Sequence, residues 1–336
     1  MPRIHARLAG VAVHMPETVR SDTETEQRVA SAGTGFRPPP GLVRRLTGVE
    51  RLHVMPDDWQ ASDLAAAAAR KLLADTGTDP GGVDLLIFAA ASQDMVEPAT
   101  SHMVADRLGL SCPVFDVKNA CNSVLNALET AHALIAQGSY RRVLIACGET
   151  PSRAVRWSVP DLRTYLASIP GYTLSDAGAA LLVEASGEPG VLGCGFTADS
   201  RSWSVGTLAS GGSANPRGDE HTYFRLDGVG LRRAFEQLGP RILDDTLERL
   251  GVGWQDMAAV CVHQVSKPYL DELTERFGLP KDKITVTVTE HGNAASASLP
   301  LQLVRARESG QAGVGDLVAL VGLAGGISMG LSVIRL

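Results

Sequence analysis

LLADTGTDPGGVDLLIFAAASQ (Leu72 to Gln93) and LERLGVGWQDMAAVCVHQVS (Leu247 to Ser266) run through the same features in the same order: a helix end, a glycine, a polar turn, an apolar strand and then polar residues. A repeat of this kind says more about a fold than any single element does. Outward from the first copy lie a segment ending at Cys121, an apolar helix and RRVLIACGE; outward from the second lie a segment ending at Asn293, a small-residue helix and GDLVALVGLAGG. Counting back 30 residues from Asn293 reaches His263, and the same count from Cys121 reaches Ala91, the end of the equivalent strand. A duplication therefore puts Cys121 and Asn293 at equivalent strand-to-helix turns. Its boundary falls in the loop Glu184 to Gly190, which divides the chain into halves 1–187 and 188–336. Spacing alone also admits a chance resemblance between two α/β segments.

Short apolar runs rich in β-formers alternate with helical patterns along the whole chain. The strands expected are Val83 to Ala91, Val114 to Val117, Val143 to Cys147, Ala179 to Val183, Ala258 to Val262, Ile284 to Val288 and Leu317 to Val321. The helices expected are Ser62 to Asp75, Asn122 to Gln137, Leu231 to Leu250, Pro268 to Phe277 and Ser296 to Glu308. The class is α/β. With 336 residues, 44% of them apolar, the chain can bury a core without disulfide or metal staples. Its net charge of -6 and the absence of a basic run argue against a nucleic-acid surface.

Five cysteines without CxxC or Cys/His ligand spacing indicate neither a disulfide framework nor zinc, so no metal or cofactor is expected and the compartment reads as reducing. MPRIHARLAG lacks the pattern of a signal or transit peptide, and the uncharged run Leu317 to Ile334, interrupted by Gly and Ser, reads as strand, turn, strand rather than a membrane span. The expectation is a cytoplasmic protein with no membrane partner.

Within VFDVKNACNSVLNALETAHALIAQG, a short strand gives way through Lys118, Asn119 and Ala120 to an amphipathic helix on which Val124, Leu125, Leu128, Ala131, Leu134 and Ile135 keep helical spacing. A thiol at such a helix start meets unpaired N–H groups and the positive end of the dipole, which favour the thiolate nucleophile. Cysteine is equally a common buried filler, and Cys112, Cys147, Cys194 and Cys261 read that way. His263 ends the run AAVCV at a strand's C-terminal end, where ligands gather in open sheets; a structural histidine is the other reading. Asn293 lies in HGNAASAS, behind a glycine that permits close backbone approach, and could be no more than a turn former. His291, beside Glu290, reads as a surface or supporting residue. The trio carries more weight than its members, because matching strand ends of a duplicated fold meet near the pseudo-twofold axis.

With VFDVKNAC, HQVS, EHGNAASASLP, LSDAGAALLVEAS and LAGGISMG in this order, nearly the whole chain resembles the thiolase superfamily, and within it β-ketoacyl-acyl-carrier-protein synthase III. The resemblance implies a thiolase fold, five layers αβαβα from two duplicated halves, usually in a homodimer. It implies that Cys121 is the nucleophile, His263 the acid/base or hydrogen-bond donor, Asn293 its companion, and the backbone amides of Cys121 and Gly325 the oxyanion hole.

The sequence also departs from that family's pattern. HQVS stands where the elongation enzymes have a motif like HQAN, with Ser266 in place of the second amide. RRLTGVE has Leu46 before Thr47-Gly48, and no Trp lies upstream, where a Trp and an Arg normally clasp the adenine of coenzyme A. An acyl carrier protein is thus the expected donor over acyl-CoA, with Arg44, Arg45, Arg153 and Arg156 as candidate contacts that read equally as solvated surface charge. Trp157, Tyr165 and Tyr172, in the segment Val155 to Tyr172, could cover an acyl tunnel or simply pack in a core.

The expected activity is transfer of an acyl group from a carrier-protein or CoA thioester through a Cys121 acyl-enzyme to a small-molecule or carrier-bound acceptor. The excess of Arg over Lys suggests a GC-rich genome and natural-product biosynthesis as the setting. Decarboxylative condensation with malonyl-thioester is the alternative. A non-catalytic acyl-binding partner subunit is a third reading, against which the intact Cys121 argues.

Overall fold

The computed structural model describes residues 4–336. Nine of its strands build two sheets. The first contains β1 (His5–His14), β2 (Leu85–Ala89), β3 (Val114–Val117), β4 (Arg142–Glu149) and β5 (Ala177–Ser186), in the order β1-β5-β4-β2-β3. The second contains β6 (Val191–Ala198), β7 (Met257–Val262), β8 (Leu317–Ala324) and β9 (Ser328–Arg335), in the order β7-β8-β9-β6. In the first, β2 runs parallel to β3 and β4, while β5 is antiparallel to β4 and β1. In the second, β7 runs parallel to β8, while β9 is antiparallel to β8 and β6. Ile284 adds a parallel bridge to Val260, in the place that β3 occupies beside β2. Read from β6, the second sheet thus repeats the order and sense of the first, and the chain passes from one to the other between Ser186 and Val191.

Helices α1 (Ala61–Thr76) and α2 (Thr100–Leu108) cover the outer face of the first sheet; α4 (Gly228–Leu238), α5 (Arg241–Leu250) and α6 (Lys267–Arg276) cover that of the second. Between the sheets lie α3 (Ser123–Ala136) and α7 (Ser298–Glu308). Alternation in β7 separates the two cores: Ala259 and Cys261 join α3 and α7 in the inner one, Val260 and Val262 join α4, α5 and α6 in the outer one. The result is five layers, αβαβα. Since both faces of β2 and β8 are covered, these strands read as unbroken apolar runs.

Two expectations need correction, and one strand was not expected. The single helix expected over Leu231 to Leu250 is two, because Gly239 takes a positive φ of 66° and Pro240 has no N–H to continue the first. Ile284 to Val288 is not a strand beyond its one bridge, since the side chain of Gln264 donates to Thr285 O and accepts from the Thr287 and Val288 amides, taking the groups a ladder would use. β6 carries no apolar-run signal because Gly193 and Gly195 interrupt it; a Cβ there would lie 2.8 Å from Leu250 and 2.0 Å from Thr246 on α5. Trp157, Tyr165 and Tyr172 pack with Val29 and Val43 in a separate small core. Among the described residues no helix is long and apolar enough to cross a membrane.

Candidate active site

Between β3 and α3 the backbone turns through Ala120 in the left-handed region, φ 45°. Three donors hold the Ala120 carbonyl: the Ser123 amide at 3.2 Å, Ser123 Oγ at 2.7 Å and, from the other half, Ser296 Oγ at 2.6 Å. Cys121 follows immediately. Asn122 then ties this turn to the second sheet, its Nδ2 donating to Ser328 O at 3.2 Å and Ser328 Oγ at 2.9 Å. Ser328 closes the turn Gly325 to Ile327 between β8 and β9, and Gly322 lets Asn122 lie against β8, where a Cβ would meet its Oδ1 at 2.1 Å. The amides of Cys121 and Gly325 are thereby fixed on facing elements.

The thiolate expected from the helix start is not what the environment favours. α3 begins two residues later, at Ser123, and burial together with the Glu149 carboxylate pushes the Cys121 thiol up to about 12.

His263 directly follows β7, its amide donating to Val321 O at 2.9 Å. The side chain is 4% exposed with Nδ1 unpartnered, and burial pulls its pKa down to about 4, so the ring is neutral. Asn293 is held by its own backbone, donating to Thr173 O at 2.8 Å and accepting from Ser175 N at 3.0 Å. Its Oδ1 accepts the Ala295 amide at 3.0 Å. A backbone N–H can only donate, so that contact fixes the carboxamide and leaves Nδ2 as the free donor. Gly292 is required in front of it: φ is 64°, and a Cβ would stand 2.7 Å from Thr173 O.

Cys121, His263, Asn293 and Gly325 all line one cavity of about 1430 Å³. Its other walls are mainly apolar, and Leu46, Leu166, Trp203, Leu208 and Val229, all exposed, stand on its lining. Ser266 lines it as well, while its Oγ caps α6 by accepting from Tyr269 N at 3.4 Å. Of the four arginines, only Arg153 reaches the lining, with Nη2 on the Asp57 and Trp59 carbonyls. Arg44 pairs with Glu50 at 2.6 Å, Arg45 is exposed, and the Arg156 guanidinium lies 4.8 Å from the centre of the Tyr223 ring.

Sequence reasoning missed Glu149 and Ser296. Glu149, the last residue of β4, is fully buried beside the cavity and accepts from the Ala91, Ser92 and Ser296 amides and from Ser92 Oγ. His291 stacks on His53, with His53 Nε2 at 3.0 Å from its Nδ1.

Residues 115–200 and 247–336 match the family descriptions of 3-oxoacyl-[acyl-carrier-protein] synthase III and of its C-terminal part. The chain is 30% identical to β-ketoacyl-[acyl-carrier-protein] synthase III of Neisseria meningitidis serogroup C, covering 97% of this chain and 98% of that one. The enzyme of the same name from Methylococcus capsulatus is also 30% identical, over 98% and 99% of the two chains. Among solved structures, a variant of Xanthomonas campestris OleA superposes with a TM-score of 0.87 at 24% identity, covering 100% and 99% of the chains. A 3-oxoacyl-(acyl-carrier-protein) synthase III superposes at 0.86 and 24%, covering 99% and 100%. These two likenesses show the thiolase fold.

Proposed function

Because the chain belongs to the 3-oxoacyl-[acyl-carrier-protein] synthase III family, we propose that it moves an acyl group from a thioester donor to an acceptor through a covalent intermediate on Cys121. The observation that carries this reading is the meeting of Cys121, His263, Asn293 and Gly325, drawn from both halves of the chain, on one cavity. As the Cys121 sulfur bonds to the donor carbonyl, the donor's carbon–sulfur bond breaks, and the cysteine proton leaves with the released thiol. Exchange between thioesters is nearly isoenergetic, so one difficult transfer becomes two easier ones. Removing an oxyanion donor in other acyl-transfer sites costs about 2.7–4 kcal/mol, which is the scale expected for the amides of Cys121 and Gly325.

For the second half-reaction two acceptors compete. Transfer to an alcohol or amine asks His263 to act as general base, and burial that lowers its pKa to about 4 makes it a weak one. Decarboxylative condensation asks for neutral donors around an enolate oxygen, which the Asn293 Nδ2 and an uncharged His263 supply. The site supports condensation with a malonyl-thioester better. The preferred donor is a carrier-protein thioester, since Leu46 stands on the lining where an adenine clasp would be needed, and Arg153, on the same lining, offers a cation to an acidic carrier helix. Natural-product biosynthesis is the proposed setting, for which the excess of Arg over Lys is the support. A homodimer is proposed as well, in which the open edge β3, with Phe115 37% exposed, pairs with a second copy.

The deciding experiment incubates the enzyme with an acyl carrier-protein thioester and, separately, malonyl-thioester, an alcohol and an amine, and weighs the products. A β-ketoacyl product with loss of CO2 supports condensation; an ester or amide without it supports plain acyl transfer and overturns condensation.

A further inference from the structure

A buried carboxylate that forms no ion pair among the described residues needs an explanation. Glu149 is 0% exposed, and its two oxygens accept four bonds: Oε1 from Ala91 N at 2.8 Å and Ser296 N at 3.1 Å, Oε2 from Ser92 N at 3.1 Å and Ser92 Oγ at 2.9 Å. Ser92 Oγ itself accepts from Thr150 N at 2.9 Å, so its proton points at Glu149. Every neighbour donates, which fits the ionised carboxylate and leaves a protonated one with a hydrogen facing a donor.

Ser296 makes this arrangement matter for the site. Its amide is fixed by Glu149 at the end of β4, while its hydroxyl donates to Ala120 O at 2.6 Å. Ala120 is the left-handed residue whose conformation aims Cys121, and Ser296 lies three residues after Asn293. A chain of two hydrogen bonds thus runs from Glu149 through Ser296 to the Ala120 carbonyl, across the seam between the halves.

We propose that Glu149 is a positioning residue for the reaction: it holds Ser296, and through it the Ala120 carbonyl, so that Cys121 from one half and Asn293 from the other keep a fixed mutual geometry. The assignment rests on the Cys121 acyl-enzyme reading for its kinetic consequence, though not for its structural one. The charge has a second effect. Burial already disfavours thiolate at Cys121, and a carboxylate beside the cavity adds to it, so the resting thiol stays protonated. The titratable and charged groups around this pair are Cys121, Cys147, Lys118, Asp116 and His263.

Glu149→Gln tests both effects, because glutamine keeps the shape but turns an NH2 toward at least one backbone donor. Turnover should fall at least about tenfold with the KM for the acyl donor unchanged, while the pH midpoint of Cys121 alkylation by iodoacetamide moves down as the negative charge is lost. A folded variant with wild-type turnover, or a midpoint that stays or rises, overturns the assignment. Ser296→Ala deletes one hydroxyl and keeps the charge, so turnover should fall about three- to tenfold with the midpoint unmoved; unchanged turnover overturns the positioning role. If Glu149→Gln does not fold, Ser296→Ala still decides. Alkylation needs no acyl donor, so a wild-type enzyme that takes no acyl adduct sinks the functional reading separately.

Discussion

Two alanines in left-handed backbone, Ala120 at φ 45° and Ala295 at φ 46°, each stand three residues before a central helix, α3 at Ser123 and α7 at Ser298. The two turns are therefore the same turn, although each conformation costs roughly 1–3 kcal/mol for a residue with a Cβ. What fills them differs. Cys121 follows the first alanine and Ser296 the second, so the backbone pairs the thiol with Ser296, three residues past the Asn293 that counting along the sequence suggested. The strand ends differ too: β4 finishes on Glu149, β8 on Ala324. One half carries the proposed nucleophile and the charge, and the other supplies neutral donors, Ser296, Asn293 and His263. The lesson is that a common scaffold can divide a reaction, with bond making on one turn and alignment on its twin.

The sharpest way to break the comparison is to exchange the twins. Cys121→Ala should abolish the acyl adduct seen by intact-protein mass spectrometry, and adding Ser296→Cys should not restore it, since that side chain faces the Ala120 carbonyl rather than a bound thioester. An adduct in either variant would mean the two turns are interchangeable. Next in size, His263→Ala and Asn293→Ala should leave single-turnover acylation measurable but slow complete turnover by about 10² or more. Equal loss in both steps would contradict the division of roles. Gly292→Ala and Gly322→Ala each place a Cβ within 2.5 Å of a neighbouring side chain, Leu52 and Asn122 respectively. Each should lower stability by about 1–3 kcal/mol in denaturant unfolding, with Gly292 the worse because its φ is positive; a smaller loss at both would show that the turns have slack.

Why the trio that lines the cavity was legible in the sequence while its support was not follows from range. Cys121, His263 and Asn293 each sit next to a run whose period marks a strand end or helix start, so local pattern locates them. The bonds that join them are remote: Ser296 is 147 residues from Glu149 and 176 from Ala120. Glu149 appeared only as the last letter of RRVLIACGE, and Ser296 as one of several small residues. The three-residue error at Asn293 came from assuming equal connections, whereas the short helix Val288–His291 occupies the second one. The thiolate expectation counts a dipole and omits the burial and the Glu149 charge that push the Cys121 thiol up.

A tenfold effect is expected at the mouth of the cavity, where the two halves again differ. An acyl group on its carrier protein should give a kcat/KM at least about tenfold above the same group on coenzyme A, falling as salt rises. Equal, salt-insensitive efficiency in steady-state kinetics would place the adenine clasp on residues other than Leu46. The smallest effect is graded with pH. His263 and His291 titrate near pH 4 when folded, against 6.5 ordinarily. Between those values the unfolded chain binds protons that the folded one does not, so stability falls on acidification through this window and levels below it. Urea unfolding from pH 7 to 4 would show it, and a slope unchanged in His263→Ala would remove that residue as a source.

The serine brace on Ala120 also sets a clock. Cys121 and Ser296 are 175 positions apart in the chain, which at about 5–20 residues per second means roughly 9–35 s of synthesis between the arrival of the thiol and the arrival of its third anchor. Throughout that interval the nascent first half presents a cysteine whose turn lacks the Ser296 contact and beside which the second sheet is incomplete, since β8 and β9 follow Ser296 in the chain. The surroundings of Cys121 are therefore completed late in synthesis, and pulse alkylation of stalled nascent chains would read out their completion.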